Sequence, residues 1–143
     1  MKAAPAANSP TAQQVKEYAG YLAKWQEKLG LQNWRVEKSR RRTKAMADMD
    51  INYEARLATW AIGDFGSNEI DSRSLESTAL HEMLHVLLYE FWYMTSQDAP
   101  IKQLNSVEHA VITVFERLLF PSPTQGSMNE HPDTRHRNFP KCS

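Results

Sequence analysis

Residues 78 to 88 read Thr78-Ala79-Leu80-His81-Glu82-Met83-Leu84-His85-Val86-Leu87-Leu88, two histidines four apart around a glutamate in an otherwise uncharged run. On a helix, residues four apart lie about 40° apart around the axis, so both imidazoles reach one ion while the glutamate projects beside them. With Leu80 as zero, Leu84, Leu87, Leu88 and Phe91 fall between about −20° and +80°, with His81 near about 100° and His85 near about 140°. The pair borders the face expected to be buried, which suits an ion held in a cleft with one position open to substrate. His-Glu-x-x-His on a helix is the zinc-peptidase pattern, so His81 and His85 are expected as zinc ligands and Glu82 as general base.

Further out, Ser72 or Ser74 offers a hydroxyl to cap this helix. After Pro100, the residues Val107, Val111, Val114, Phe115, Leu118 and Leu119 recur at helical spacing up to Pro121. Upstream, Val15, Tyr18, Leu22, Trp25 and Leu29 give an amphipathic helix opened by Ser9-Pro10 and closed by Gly30. Residues 33 to 37 alternate polar with apolar, and a second extended region runs from Asp50 through Tyr53 to Ala58-Thr59-Trp60-Ala61-Ile62, closed by Gly63 and Gly66. Two or three strands are expected from these. The predicted fold is α+β, one domain over residues 10–120: an N-terminal helix, a small mixed or antiparallel sheet, the motif helix and a C-terminal helix. Residues 1–9 and 121–143, poor in periodic apolar positions, are expected to be flexible.

A catalytic zinc usually takes three protein ligands and a water, so one ligand is still to be found. The metzincin pattern would need Gly at position 88 and His at position 91, where this chain has Leu88 and Phe91. Glu90, at about 280° on the motif helix, is expected to face solvent. Asp98, Glu116, His131 and His136 are further candidates, the two histidines lying in a polar tail. On the last helix, with Val107 as zero, Glu108 lies near about 100° inside the apolar arc and His109 near about 200° on the polar side. A carboxylate among apolar neighbours suffers heavy desolvation unless paired or bound to metal, which makes Glu108 the expected third ligand and His109 the alternative.

The chain contains Leu31-Gln32-Asn33-Trp34 after the first helix, then Tyr53-Glu54 and Ala58-Thr59, then His81-Glu82-Met83-Leu84-His85, then Glu108-His109. In these pieces residues 12 to 119 resemble the compact zincin-like metallopeptidases encoded by phages and prophages. The resemblance implies a zinc cofactor, a peptide or protein substrate, and an edge strand at residues 58–62 that pairs with the substrate backbone. A glutamate as third ligand looks like the gluzincin type, although the partner in the acidic pair is here His109. The motif helix is also similar to that of SprT-like peptidases, which act on protein crosslinked to DNA. Those take a third histidine from a downstream His-Gly segment, and none occurs here. A third reading is a zincin-fold binding protein without turnover.

Seventeen Lys plus Arg balance seventeen Asp plus Glu, so no global field steers the chain to polyanions. The basic run Lys38 to Lys44 is expected as a solvated hairpin end, with nucleic acid a less favoured partner. Cys142 is the sole cysteine, which excludes an internal disulfide framework and makes a cytoplasmic setting the default expectation. The opening residues MKAAPAANSPTAQQ lack the apolar stretch of roughly 7–15 residues of a secretory signal, and no run approaches the ~20 residues of a membrane span. Tyr53, Tyr89 and Tyr93 are possible oxyanion donors, though packing is their ordinary role.

Overall fold

The structure, a computed structural model, describes residues 8–96 and 100–123. Within them the fold is α+β, three helices and one three-stranded mixed sheet: α1 (Ala12–Lys28), β1 (Arg35–Lys38), β2 (Ala47–Asn52), β3 (Leu57–Ile62), α2 (Ser72–Thr95) and α3 (Ile101–Leu119). The strand order is β1-β3-β2, with β1 parallel and β2 antiparallel to β3. The tail residues His131, His136 and Cys142, and Asp98, lie outside the described residues.

α1 and α2 each start where a side chain satisfies a free amide. α1 is capped by Thr11 rather than Ser9: Thr11 Oγ1 accepts from the Gln14 amide at 3.2 Å, and Gln14 Oε1 accepts from the Thr11 amide at 2.9 Å. This is a capping box, and a second one at Asp71 and Ser74 opens α2, one residue ahead of the expected serine. The Ser74 amide holds the Asp71 carboxyl below the usual carboxylate range. Gly30, at φ +70°, ends the first helical segment in the left-handed region open to glycine. Asn8, within the segment expected to be flexible, donates from its side chain to the carbonyls of Gly66 and Asn68.

β3 is the central strand, paired with β1 on one side and β2 on the other, with Ala58 and Trp60 buried, so it is not the edge strand that the resemblance implied. β2 is an edge instead, and its run Ala47-Asp48-Met49-Asp50-Ile51-Asn52 alternates apolar with polar along its whole length. The basic segment 39–46 is not a hairpin end, because β1 and β2 lie on opposite sides of β3 and the segment must pass the end of that strand. Gly63 sits under it: a Cβ there would lie 2.3 Å from the Ala45 carbonyl oxygen, so only glycine allows the approach.

α2 runs through the middle, touching α1, β2 and α3. Leu75, Ala79, Leu80, Met83, Leu84 and Val86 are all buried, in one core with Tyr18, Leu22, Trp25, Trp34 and Trp60. Each leucine, methionine or valine among them contributes about 1.5–3 kcal/mol on full burial, so α2 is fixed firmly in rotation. Phe91, expected on the buried stripe, lies past the edge of this core and is 61% exposed.

α3 departs most from expectation. Val107, Val114, Leu118 and Leu119, expected as core, are exposed, and Ile112 is its one fully buried side chain. The helix is turned so that Asn105, Glu108, His109, Ile112 and Glu116, spaced i, i+3, i+4, i+7 and i+11, lie on the side bearing on α2.

Candidate metal centre

His81 and His85 stand one turn apart on α2, their ring centroids 5.0 Å apart. The rotation of α3 brings His109 against both, at 5.9 Å from the His81 ring and 5.1 Å from the His85 ring. One ligand atom from each of the three lies within 4.8 Å of the others.

Every one of these rings is oriented through Nδ1. His81 Nδ1 meets Glu116 Oε1 at 2.8 Å, His85 Nδ1 meets Glu108 Oε1 at 3.2 Å, and His109 Nδ1 meets the Asn105 carbonyl oxygen at 2.8 Å. An acceptor on Nδ1 fixes the proton there and leaves Nε2 as the unprotonated nitrogen that can ligate a cation, while raising its basicity. Burial pushes the His85 imidazole below its ordinary pKa against the pull of Glu108, which keeps it neutral and competent as a ligand at neutral pH.

The structure places Glu108, the expected third ligand, and His109, the alternative, differently. Glu108 is largely buried, as the desolvation argument required, but its carboxylate is engaged by His85 Nδ1, and His109 supplies the third atom of the cluster. His109, expected on the polar side of α3, bears on α2 because the apolar arc of α3 is not its buried arc. Glu116 and Asn105, not expected in these roles, orient His81 and His109; their signal is the i, i+4, i+11 spacing of Asn105, His109 and Glu116. Glu90 is exposed as expected, with Tyr53 donating to it at 3.0 Å.

Glu82 is the one buried charged residue among those described, at 8% exposure. Burial, with the nearby carboxylates of Asp48 and Glu116, pushes its carboxyl up to about 7. Behind it, the Tyr18 hydroxyl is fully buried without a hydrogen-bond partner, and burial next to Glu82 and Asp48 pushes its pKa up as well. A carboxyl that titrates near neutrality beside three convergent imidazoles is suited to taking and returning a proton.

The cluster opens into a cleft of about 490 Å³ walled by β2 from Ala47 to Ile51 on one side and by His81, His85, Tyr89, Trp92, Asn105 and His109 on the other. The edge strand that borders the site is therefore β2. Trp92 lines this cleft and donates from Nε1 to Asn105 Oδ1 at 3.1 Å. The basic residues Lys38, Arg40, Arg41 and Arg42 line a separate hollow with Ala61 and Ile62. Among the described residues, no helix is long and apolar enough to cross a membrane. Comparison with known proteins returns no significant match to any family model, curated protein or solved structure.

Proposed function

We propose that the chain is a zinc-dependent metallopeptidase of zincin-like type, with His81, His85 and His109 holding the metal and Glu82 acting as general base. The observation that carries this reading is the donor set: three imidazoles converge within 4.8 Å, and each has an acceptor on Nδ1. Three imidazoles beside an open cleft match the chemistry of a catalytic zinc site. When bound, zinc supplies the Lewis acidity that lowers the pKa of a water and polarises a carbonyl.

The chain's own residues then have distinct work. Glu108 and Glu116 accept at Nδ1 of His85 and His81 and so orient the two rings, leaving Nε2 of each as the nitrogen to ligate the metal. Glu82 takes a proton from the attacking water and returns it to the leaving amine, a role matched to a carboxyl that exchanges protons near neutral pH. β2 offers an unpaired strand edge to an extended peptide lying in the cleft. The proposed setting is cytoplasmic, in keeping with the single cysteine.

The test is cleavage of a broad peptide library by the zinc-loaded protein and by Glu82→Gln. The expected result is cleavage by the first and none by the second, with zinc retained in both. Stoichiometric zinc with no cleavage by the wild type leaves a binding protein, and full cleavage by Glu82→Gln removes the general base from the mechanism. A DNA-associated role for Lys38 to Lys44 requires strongly salt-dependent DNA affinity that disappears when Arg40, Arg41 and Arg42 are neutralised.

A further inference from the structure

The metal cleft does not end at the histidines. It continues past Asp50, Ile51 and Tyr89 into a second hollow of about 450 Å³, lined by Asn52, Tyr53, Glu54, Leu57, Thr59 and Tyr93. The two hollows share Asp50, Ile51 and Tyr89, so they form one groove along β2. No lysine or arginine is among the residues lining either part, whereas Asp48, Asp50 and Glu54 line it outside the metal centre.

One wall is aromatic. Tyr53 stacks on Tyr93 with centroids 4.8 Å apart and planes 16° apart, and Tyr89 lies 6.4 Å from both rings. Stacked tyrosine rings at the rim of a carboxylate-lined groove attract cations through their electron-rich faces. The protein's own arginines already use these groups. The Arg56 guanidinium lies 4.4 Å from the Tyr53 ring centre and donates to the Tyr53 hydroxyl at 3.3 Å, with Glu90 4.0 Å away. Arg41 Nη2 stands 3.5 Å from Asp50 Oδ2, both side chains exposed, a weak pair that an incoming cation displaces.

We propose that this groove selects peptides with an arginine or lysine beside the scissile bond, Asp50 and Glu54 meeting the charge and Tyr53, Tyr89 and Tyr93 flanking the aliphatic stem. The proposal rests on the peptidase reading for the position of the bond, but binding of the side chain is separable from turnover. Arginine suits the wall better than lysine, since its planar guanidinium both stacks and donates in a fork to a carboxylate.

The experiment uses zinc-loaded Glu82→Gln and two fluorescein-labelled hexapeptides, capped at the C-terminus and identical except for a central arginine or its neutral isostere citrulline. Fluorescence anisotropy at low salt is expected to show the arginine peptide bound at least about tenfold more tightly, a preference that falls as salt rises. In the Asp50→Asn/Glu54→Gln background the ratio is expected to fall to within about twofold, as for a lost charge pair, with zinc content and melting temperature unchanged. Equal binding of the two peptides, including no measurable binding of either, overturns the proposal, as does a preference that survives the double substitution. Arginine-selective binding without cleavage by the wild type would instead sink the peptidase reading and leave the groove assignment standing. Cleavage of neutral peptides without arginine selectivity would do the reverse.

Discussion

Replacing Glu82 by glutamine is expected to stabilise the metal-free protein, because the carboxyl sits where ionisation is unfavourable. Its pKa is about 7 in the folded state against 4.5 for the free group. Below the lower value the carboxyl is protonated in folded and unfolded chains alike, and it has no effect. Between the two values the unfolded chain releases the proton while the folded one keeps it, so stability falls as pH rises; above about 7 the loss is complete. At about 1.4 kcal/mol per pH unit this gap amounts to on the order of 3 kcal/mol, and the near-isosteric amide removes it. For a domain of this size that is roughly 10 °C in melting temperature. Thermal melts of both proteins in chelator, from pH 4 to pH 8.5, are expected to coincide at the acid end and diverge by roughly this amount at the alkaline end. A divergence that does not depend on pH, or a less stable Glu82→Gln protein at pH 8, would refute the assignment of a strained, buried carboxyl.

Glu108→Gln and Glu116→Gln each weaken the orientation of one imidazole, so competition with a chelator is expected to show zinc affinity reduced about 10–100-fold per substitution; no change in either would remove their positioning role. Removal of metal is expected to loosen α3 before the rest, since it has one fully buried side chain and no side-chain cap at Pro100. Amide exchange in chelator should therefore accelerate over residues 101–119 while residues 12–28 keep their protection, and uniform acceleration would contradict this. Gly63→Ala places a methyl 2.3 Å from the Ala45 carbonyl oxygen, a backbone atom that cannot swing aside. It is expected to destabilise the fold by about 1–3 kcal/mol in denaturant titration, and a neutral result would mean that segment 39–46 is readily displaced.

Much of the fold was legible where burial and periodicity agree. Tyr18, Leu22 and Trp25 on α1, and Leu80 and Leu84 on α2, are buried at the helical spacing that marked them. The α+β class followed from the alternation of such stripes with short extended runs. α3 was legible as a helix but not in its rotation. Its valines look like a core face, whereas the face bearing on α2 carries Asn105, Glu108, His109 and Glu116. Polar residues at core spacing look like a solvated side unless each is given a partner, and those partners, His81, His85 and Trp92, stand on another helix. The edge role of β2 was equally hidden, because strand order depends on pairings between segments that no local pattern records. At the site itself, His81, Glu82 and His85 stood out through their spacing alone, while Asp48 acts on Glu82 from β2 and had no local signal.

Zinc content after exhaustive dialysis of the wild type, His109→Ala and Glu108→Ala proteins tests the metal centre most directly. About one zinc per chain is expected in the wild type and in Glu108→Ala, the latter with weakened affinity, and almost none in His109→Ala, because a closed set of three imidazoles loses its third donor only there. Retention of zinc by His109→Ala together with its loss from Glu108→Ala would contradict the three-histidine centre.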